Sequence, residues 1–259
     1  MSAPLRGAGI VVTRPARQAG TLAQQIAALG GKPLIFPTIV ILPPADRRAL
    51  DDAHRRLGQY DCAVFVSANA AEFGVGDAAA WPASLPVFAP GPGTAAALVS
   101  AGLGQVRQPR ASMDSEGLLA LPEFSAVAGK RVAIFRGGAG RELLGDTLTA
   151  RGADVTYVDC YRRAKPQSGA AGLLAAWRER RIDAVTLTSS EGLDNLWAIL
   201  DAYGREMLAA TPAFATHPRI AELAGSLALT RVVVAAPGDA GLLASLLQYF
   251  AVDSQGSIA

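Results

Sequence analysis

Along the chain, short β-branched runs alternate with stretches whose apolar residues recur every three or four positions. This is the pattern of an α/β protein built on parallel strands. Residues 9–13 read as a strand, after which Leu22, Ile26 and Leu29 line one face of a helix that stops at Gly30-Gly31, a glycine C-cap. Residues 34–36 form the next strand. Pro37 follows, and Ile39-Val40-Ile41-Leu42 then runs extended to Pro43-Pro44, so this stretch reads as a linker before a helix opened by Asp46 and ending near Gly58. Further strands are expected at 62–66, 86–89, weakly near Val106, and at 132–135, 155–161, 184–188, 213–216 and 232–235. About ten strands are too many for one ordinary sheet, and two sheets are expected.

The pattern is also duplicated. Arg14 after Val11-Val12-Thr13 matches Arg136 after Ala133-Ile134-Phe135, and at the same offset Leu22, Ile26 and Gly30 match Leu144, Leu148 and Gly152. Asp61 and Ser67 match Asp183 and Ser189 in that register, and Phe88-Ala89-x-x-Pro92 resembles Phe214-Ala215-x-x-Pro218 after a small insertion. Each half holds a strand-helix-strand unit, an extended stretch and a three-strand unit, which predicts two five-stranded doubly wound α/β domains. Both extended stretches, 37–44 and 158–166, are long enough to cross between domains, so the first unit of each half can pack with the second unit of either half. In both arrangements the domains are expected to face a cleft, with mobility at the crossings.

Ligands of open α/β sheets bind beyond the carboxyl ends of the strands, where helix N-termini offer free N–H groups to anions. Six turns combine a strand end with a helix start: Thr13-Arg14-Pro15, Ser67-Ala68-Asn69, Gly91-Pro92-Gly93-Thr94, Arg136-Gly137-Gly138, Ser189-Ser190-Glu191 and Thr216-His217-Pro218. Plain N-capping explains Ser, Thr and Asn at any one of them; a shared cleft would make them a distributed anion site. Arg14 and Arg136 can grip carboxylate or phosphate with a bidentate fork, or lie solvated on the surface. Tyr161, which ends a strand at one crossing, can present a phenol to a ligand or simply pack its ring.

Other chemistry is poorly supported. Gly137-Gly138-Ala139-Gly140 after a strand, with Asp159 near the end of the next, suggests a dinucleotide turn, but Leu143 stands where that motif needs a small residue. The only two histidines, His54 and His217, lack metal-ligand spacing. His54 reads as a surface helix residue and His217 as a cap or ligand contact. No Gly-x-Ser-x-Gly elbow is present, which argues against hydrolase chemistry. Cys62 and Cys160 lie in apolar runs and read as buried thiols.

Composition narrows the class. Of 259 residues, 51% are hydrophobic and 18% charged, enough apolar surface to build a core and exclude intrinsic disorder. A formal charge of +2 is too small for a dedicated nucleic-acid binder. The most apolar stretches, such as 34–42, which Pro37 breaks, stop well short of the roughly 20 residues of a membrane span. The first fifteen residues lack the apolar core of a signal peptide, so a cytoplasmic protein is expected. The tail 253–259 is expected to be disordered.

Taken in order, these motifs resemble the uroporphyrinogen-III synthase family over almost the whole chain. The residues that carry the resemblance are Val12-Thr13-Arg14-Pro15, Phe36-Pro37-Thr38-Ile39, Val66-Ser67-Ala68-Asn69-Ala70, Gly91-Pro92-Gly93-Thr94-Ala95, Ser115-Glu116-Gly117-Leu118-Leu119, Arg136-Gly137-Gly138 with Arg141-Glu142-x-Leu144, Tyr161-Arg162-Arg163, Thr188-Ser189-Ser190 and Thr216-His217-Pro218. The resemblance implies two flavodoxin-like domains joined by a two-stranded ladder, the first domain discontinuous. Residues 1–38 and 167–259 would make the first, 44–162 the second, and 39–43 and 163–166 the crossings.

It further implies cofactor-free closure of hydroxymethylbilane, a linear tetrapyrrole with eight carboxylates, to uroporphyrinogen III with inversion of ring D and loss of water. No metal, nucleic acid or membrane is required, and a monomer suffices. By resemblance Tyr161 is the general acid for hydroxyl loss, and Thr94 contacts a side-chain carboxylate. Thr13, Arg14, Ser67, Ala68, Asn69, Gly91, Pro92, Gly93, Ser115, Arg136, Gly137, Gly138, Ser189, Ser190, Thr216, His217 and Pro218 complete the substrate contacts. Where the family often has a threonine in its last turn, this chain has His217-Pro218-Arg219, and His217 or Arg219 is expected to meet a carboxylate instead. The rival expectation is a two-domain module that binds a polyanion without chemistry; a nucleotide-dependent enzyme ranks behind it.

Overall fold

The computed structural model describes residues 4–110, 112–138 and 142–252. Within them run eleven strands: β1 Gly9–Val12, β2 Lys32–Ile35, β3 Val40–Leu42, β4 Cys62–Phe65, β5 Val87–Phe88, β6 Val106–Arg107, β7 Arg131–Gly137, β8 Asp154–Ala164, β9 Ala184–Leu187, β10 Ala213–Ala215 and β11 Val232–Val234. The chain divides into two units, one of Met1–Val40 with Ala164–Ala259, the other of Ile41–Arg163. No helix among the described residues is long and apolar enough to cross a membrane.

The first unit holds a five-stranded sheet in the order β11-β10-β9-β1-β2, every neighbouring pair parallel. Alternation along the strands sends Val11, Val185, Leu187, Ala213 and Ala215 to one face and Ile10, Val12, Ala184 and Phe214 to the other. The first face is covered by helices that include Ala171–Arg178, Ser190–Ile199 and Pro218–Ser226, through Leu173, Trp177, Leu193, Leu196 and Ile220. Helix Ala16–Ala28 covers the second face with Leu22 and Ile26 of the expected stripe and with Ala19, while Leu29 packs at its C-cap, beside Leu242 and Leu246 of Gly238–Val252.

The second unit holds a sheet in the order β3-β8-β7-β4-β5-β6. One face packs Phe65 against Phe135, ring centroids 4.5 Å apart, with Trp81 beside both. The opposite face buries Val64, Phe88, Val132 and Ile134 under Phe124, Leu144 and Leu148. Five strands were expected here from the strand pattern; the run after Pro37, read as a linker and, by the resemblance, as one side of a two-stranded ladder, pairs with β8 as β3, a sixth strand of this sheet. Without it the eleven-residue β8 would leave one edge open, and a β-branched segment beside such an edge finds its hydrogen bonds there.

The duplication persists in atomic detail. Gly9 and Arg131, which begin equivalent strands, each donate their N–H to an aspartate at 2.7 Å, Asp183 and Asp61 respectively. Each aspartate returns its own N–H to the carbonyl of the same residue at 2.8 Å. Ser67 and Ser189, equivalent again, both accept the N–H three residues on, from Ala70 at 3.1 Å and Gly192 at 3.0 Å.

Cys62 and Cys160 are free and buried. Burial raises both thiols, Cys62 to about 11, with Lys130 opposing the shift, and Cys160 to about 12, from an ordinary value of 9.0. A folded-state value raised above the unfolded one stabilises the fold fully below about pH 9, and that contribution falls as pH climbs toward the folded values, by at most ~1.4 kcal/mol per unit per thiol. In urea titrations at pH 8.5 and 10.5, Cys160→Ala is expected to lose less stability between the two than the parent does. Alkylation of both thiols in the native protein at pH 8, at the rate of a free thiol, would refute this.

Candidate functional site

Tyr161 owes its direction to a β-bulge. Arg136 pairs with Asp159 but Gly137 pairs with Tyr161, so Cys160 is the extra residue on β8. Strict alternation would send Tyr161 to the same face as Tyr157 and Asp159; the bulge turns it to the opposite face, among Val158, Cys160 and Phe73. Its ring fills the space that Gly137 leaves free, because a Cβ on Gly137 would stand 2.7 Å from two ring carbons. The side chain is 6% exposed, and its hydroxyl lies 3.3 Å from Ser67 Oγ. The phenol is therefore held, not trailing in water.

At the offset that relates the two copies, Ile39 occupies the position of Tyr161. It is 5% exposed, and its side chain approaches Gly192 in the turn that Ser189 caps. The fold fills this position equally well with an aliphatic residue, so packing alone does not call for a hydroxyl.

Arg136, at the end of β7, is half-buried on the other face of that sheet. Its guanidinium lies 3.8 Å above the centroid of the Tyr157 ring, and Nε donates to Asp159 Oδ1 at 3.2 Å. Nη1 is sealed from solvent with no hydrogen-bond partner. Burial of the Tyr157 hydroxyl raises its pKa, against the lowering influence of Arg136. Tyr157 and Asp159 were not among the expected site residues, although their spacing of two on a strand places both on the face that Arg136 uses.

The other turns differ in how much of their anion capacity is already used. Ser67, Ser189 and His217 spend a side-chain acceptor on their own helices; His217 Nδ1 accepts from the Arg219 N–H at 3.1 Å while the ring is exposed. Asp114 caps the helix Ser115–Leu119, leaving Ser115 half-buried inside the first turn. Helices Ala16–Ala28 and Pro92–Ser100 begin at Pro15 and Gly91 without a side-chain cap. Neither start spends a side-chain acceptor on its own first turn. Gly91 sits against Met113, Pro92 and Gly93 are exposed, and Thr94 is buried. Ala68 is exposed and Asn69 half-buried.

In the first unit Thr13 is a structural hydroxyl, donating to the Thr186 carbonyl at 2.6 Å, and Thr38 donates to the Thr13 carbonyl at 3.1 Å. Arg14 is ion-paired with Asp239. Ser190 and Thr216 are half-buried, and Pro218 is exposed at the start of its helix. Gly138 is exposed and donates its N–H to the Tyr161 carbonyl at 3.2 Å. Ala139, Gly140 and Arg141, part of the glycine-rich run and of one family motif, lie outside the described residues, as does the tail 253–259.

His54 departs from expectation. It is half-buried, with Nε2 2.7 Å from the Gly74 carbonyl oxygen and the imidazole stacked on Phe135 at 6.4 Å, because the helix Arg48–Arg55 lays it over the aromatic core. No group of three His, Cys, Asp or Glu side chains able to hold a metal ion occurs among the described residues.

The profile of the family described as "Uroporphyrinogen-III synthase HemD" matches residues 20–244, most of the chain. The chain belongs to the uroporphyrinogen-III synthase family. A uroporphyrinogen-III synthase of Escherichia coli K12 is 35% identical over 92% of this chain and 99% of its own. One from Salmonella typhimurium LT2 is 34% identical over the same shares, 92% and 99%. Among solved structures, the uroporphyrinogen-III synthetase of Helicobacter pylori 26695 overlays with a TM-score of 0.59 at 14% identity, covering 93% of this chain and 99% of that one. A mutant uroporphyrinogen III synthase from the extremely thermophilic bacterium Thermus thermophilus gives 0.55 at 22% identity, covering 96% and 100%. At those identities the structures speak for the fold alone, a mixed α/β fold with parallel sheets.

Proposed function

We propose that this family member is itself a uroporphyrinogen-III synthase, closing hydroxymethylbilane to uroporphyrinogen III with inversion of ring D and release of water. The observation that carries the reading is the Tyr161–Ser67 pair: a buried phenol aimed at a helix-capping serine, in a position that the duplicate copy fills with Ile39. Ser67 Oγ already accepts the Ala70 N–H, so its own proton is free to point at the phenol oxygen. That arrangement leaves the Tyr161 proton available to the departing hydroxyl of the substrate. The uncapped helix starts at Pro15 and Gly91 and the fork of Arg136 supply weak, distributed anion sites suited to a ligand with many carboxylates, without needing a large net charge. Holding ring D so that its substituted carbon attacks is an orientation effect, which can lower a barrier by as much as ~7–11 kcal/mol.

The strand orders support a finer architectural reading. Counted from β1, the first sheet runs 2-1-3-4-5; counted from β7 and omitting β3, the second runs in the same order with its chain circularly permuted. Both are the flavodoxin-like order, the first on a discontinuous domain of residues 1–38 and 167–259. The reading invokes no metal, organic cofactor, nucleic acid or membrane, and takes a cytoplasmic monomer as its simplest form.

The deciding test supplies freshly generated hydroxymethylbilane, oxidises the products and separates type I from type III uroporphyrin by chromatography. Type III above the enzyme-free control is the expected result. Type I alone at the spontaneous rate, from folded protein, would overturn the synthase reading in favour of a module that binds polyanions without turning them over.

A further inference from the structure

The first unit has a cavity of about 360 Å³ at the edge of its sheet away from the turns described above. Asp183, Pro212 and Arg231, which line it, stand immediately before β9, β10 and β11, whereas Ser189 and Thr216 follow β9 and β10 at the opposite edge. Two helices add rings to the lining: Trp177 from Ala171–Arg178, and Tyr249 and Phe250 from Gly238–Val252. Trp177 is buried, and the other two rings are half-buried. Arg180 and Arg231, both exposed, bring two positive charges to the same cavity.

The polar groups that line it are unevenly committed. Trp177 Nε1 donates to Thr211 Oγ1 at 3.1 Å, and that hydroxyl donates to the Met207 carbonyl at 2.7 Å, so both are satisfied within the fold. Asp183 spends Oδ2 on the Gly9 N–H. The Arg231 guanidinium uses one donor on the Ala210 carbonyl at 2.7 Å, and that of Arg180 has no hydrogen bond or ion pair among the described residues. A ligand entering here meets ring surface and unused guanidinium donors, against a single carboxylate. Aromatic faces suit a flat ring, and a guanidinium fork suits a planar oxyanion.

The duplicate copy separates what the frame needs from what is particular to this unit. At the offset that relates the copies, Asp183 corresponds to Asp61, which makes the same strand-closing bond, but Arg180 corresponds to Gly58 and Trp177 to Arg55. The aspartate therefore belongs to the fold, and the Trp177 ring and the Arg180 charge do not.

We propose that this cavity binds a small planar aromatic acid, its ring against Tyr249 and Phe250 and its acidic group on the Arg180 and Arg231 guanidiniums. The volume lies near the lower end of ligand cavities, roughly 300–1,000 Å³, which suits one or two fused rings and is too small for a tetrapyrrole. The site is distinct from that of the synthase substrate, and the inference does not rest on the synthase reading.

The experiment titrates the full chain with 2-naphthoate and with its neutral analogue 2-naphthalenemethanol by calorimetry, with thermal midpoints on the same samples. Naphthoate is expected to bind saturably and one to one, and the alcohol at least about tenfold more weakly. Arg180→Gly is the sharpest variant. Arg180 holds a left-handed turn at φ 54°, closed by the Arg181 N–H on the Ala176 carbonyl at 2.9 Å, in the place that Gly30, Gly102 and Gly152 take after their own helices. Glycine there removes the charge and relieves the backbone, so the thermal midpoint should hold or rise. Naphthoate binding should fall at least about fivefold while binding of the alcohol is unchanged. Phe250→Ala should weaken both ligands.

A parent protein that gives no saturable binding of naphthoate, or that binds acid and alcohol equally, would overturn the proposal. Parent-like naphthoate binding by Arg180→Gly would do the same, since the acid would then sit elsewhere on the chain. Parent-like binding of both ligands by folded Phe250→Ala would remove the ring contact.

Discussion

Tyr161→Phe is expected to reduce turnover about 10²-fold, the lower end of what a positioned general acid contributes, while leaving the fold intact. The substitution keeps the ring that fills the space beside Gly137 and packs against Phe73, and Ser67 keeps its bond from the Ala70 N–H. Only the hydroxyl 3.3 Å from Ser67 is lost, so stability should change by no more than ~1 kcal/mol. Single-turnover rates and a denaturation curve on the same preparation separate the two quantities. A rate loss below about threefold would reduce Tyr161 to a packing residue, and a large loss of stability would mean that its hydroxyl serves the core.

Gly9→Ala is expected to cost about 3 kcal/mol of stability, the upper end for forcing an extra methyl into a packed interior. A Cβ on Gly9 would overlap the carbonyl oxygen of Arg181, a backbone atom that cannot swing aside as a side chain can. Nor can the strand retreat: Ile10, Val11 and Val12 behind it are fully buried, and β1 is held between β2 and β9. The duplicate supplies the control. Arg131 makes the same bond to its aspartate, yet is exposed, so Arg131→Ala should change stability by less than ~0.5 kcal/mol. Both variants keep the backbone N–H bond to the aspartate, so urea titrations side by side isolate the close backbone approach, and equal losses would show that this approach carries no cost at Gly9.

The site was legible where chemistry is carried by the type of turn. Ser67 and Ser189 stand at helix starts because a β-strand ending in Ser before a helical stripe is an N-cap, and both cap as that pattern requires. The partners of the two arginines were not legible. Asp239 is distant from Arg14 in sequence, and Asp159 was noted only for the position of an acid in a dinucleotide motif, whereas it actually receives Arg136 Nε. His54 was read as a surface residue of its helix; the ring lies over Phe135 because Ala53 and Leu50 turn the same helix into the core.

From the sequence alone came the alternation of strand and helix, the duplication, the strand ends as the place for polar chemistry, and the family. These are local or periodic properties, written into the order of apolar and capping residues and insensitive to what lies across a sheet. Pairing was left to the tertiary structure, because hydrogen bonds between strands depend on which edges are open, not on the composition of the segment that fills them. Val40–Leu42 became a strand once β8 offered it an edge. One extra residue, Cys160, decided which face of the sheet carries the phenol of Tyr161, since an insertion in one strand is defined only against the register of its neighbour.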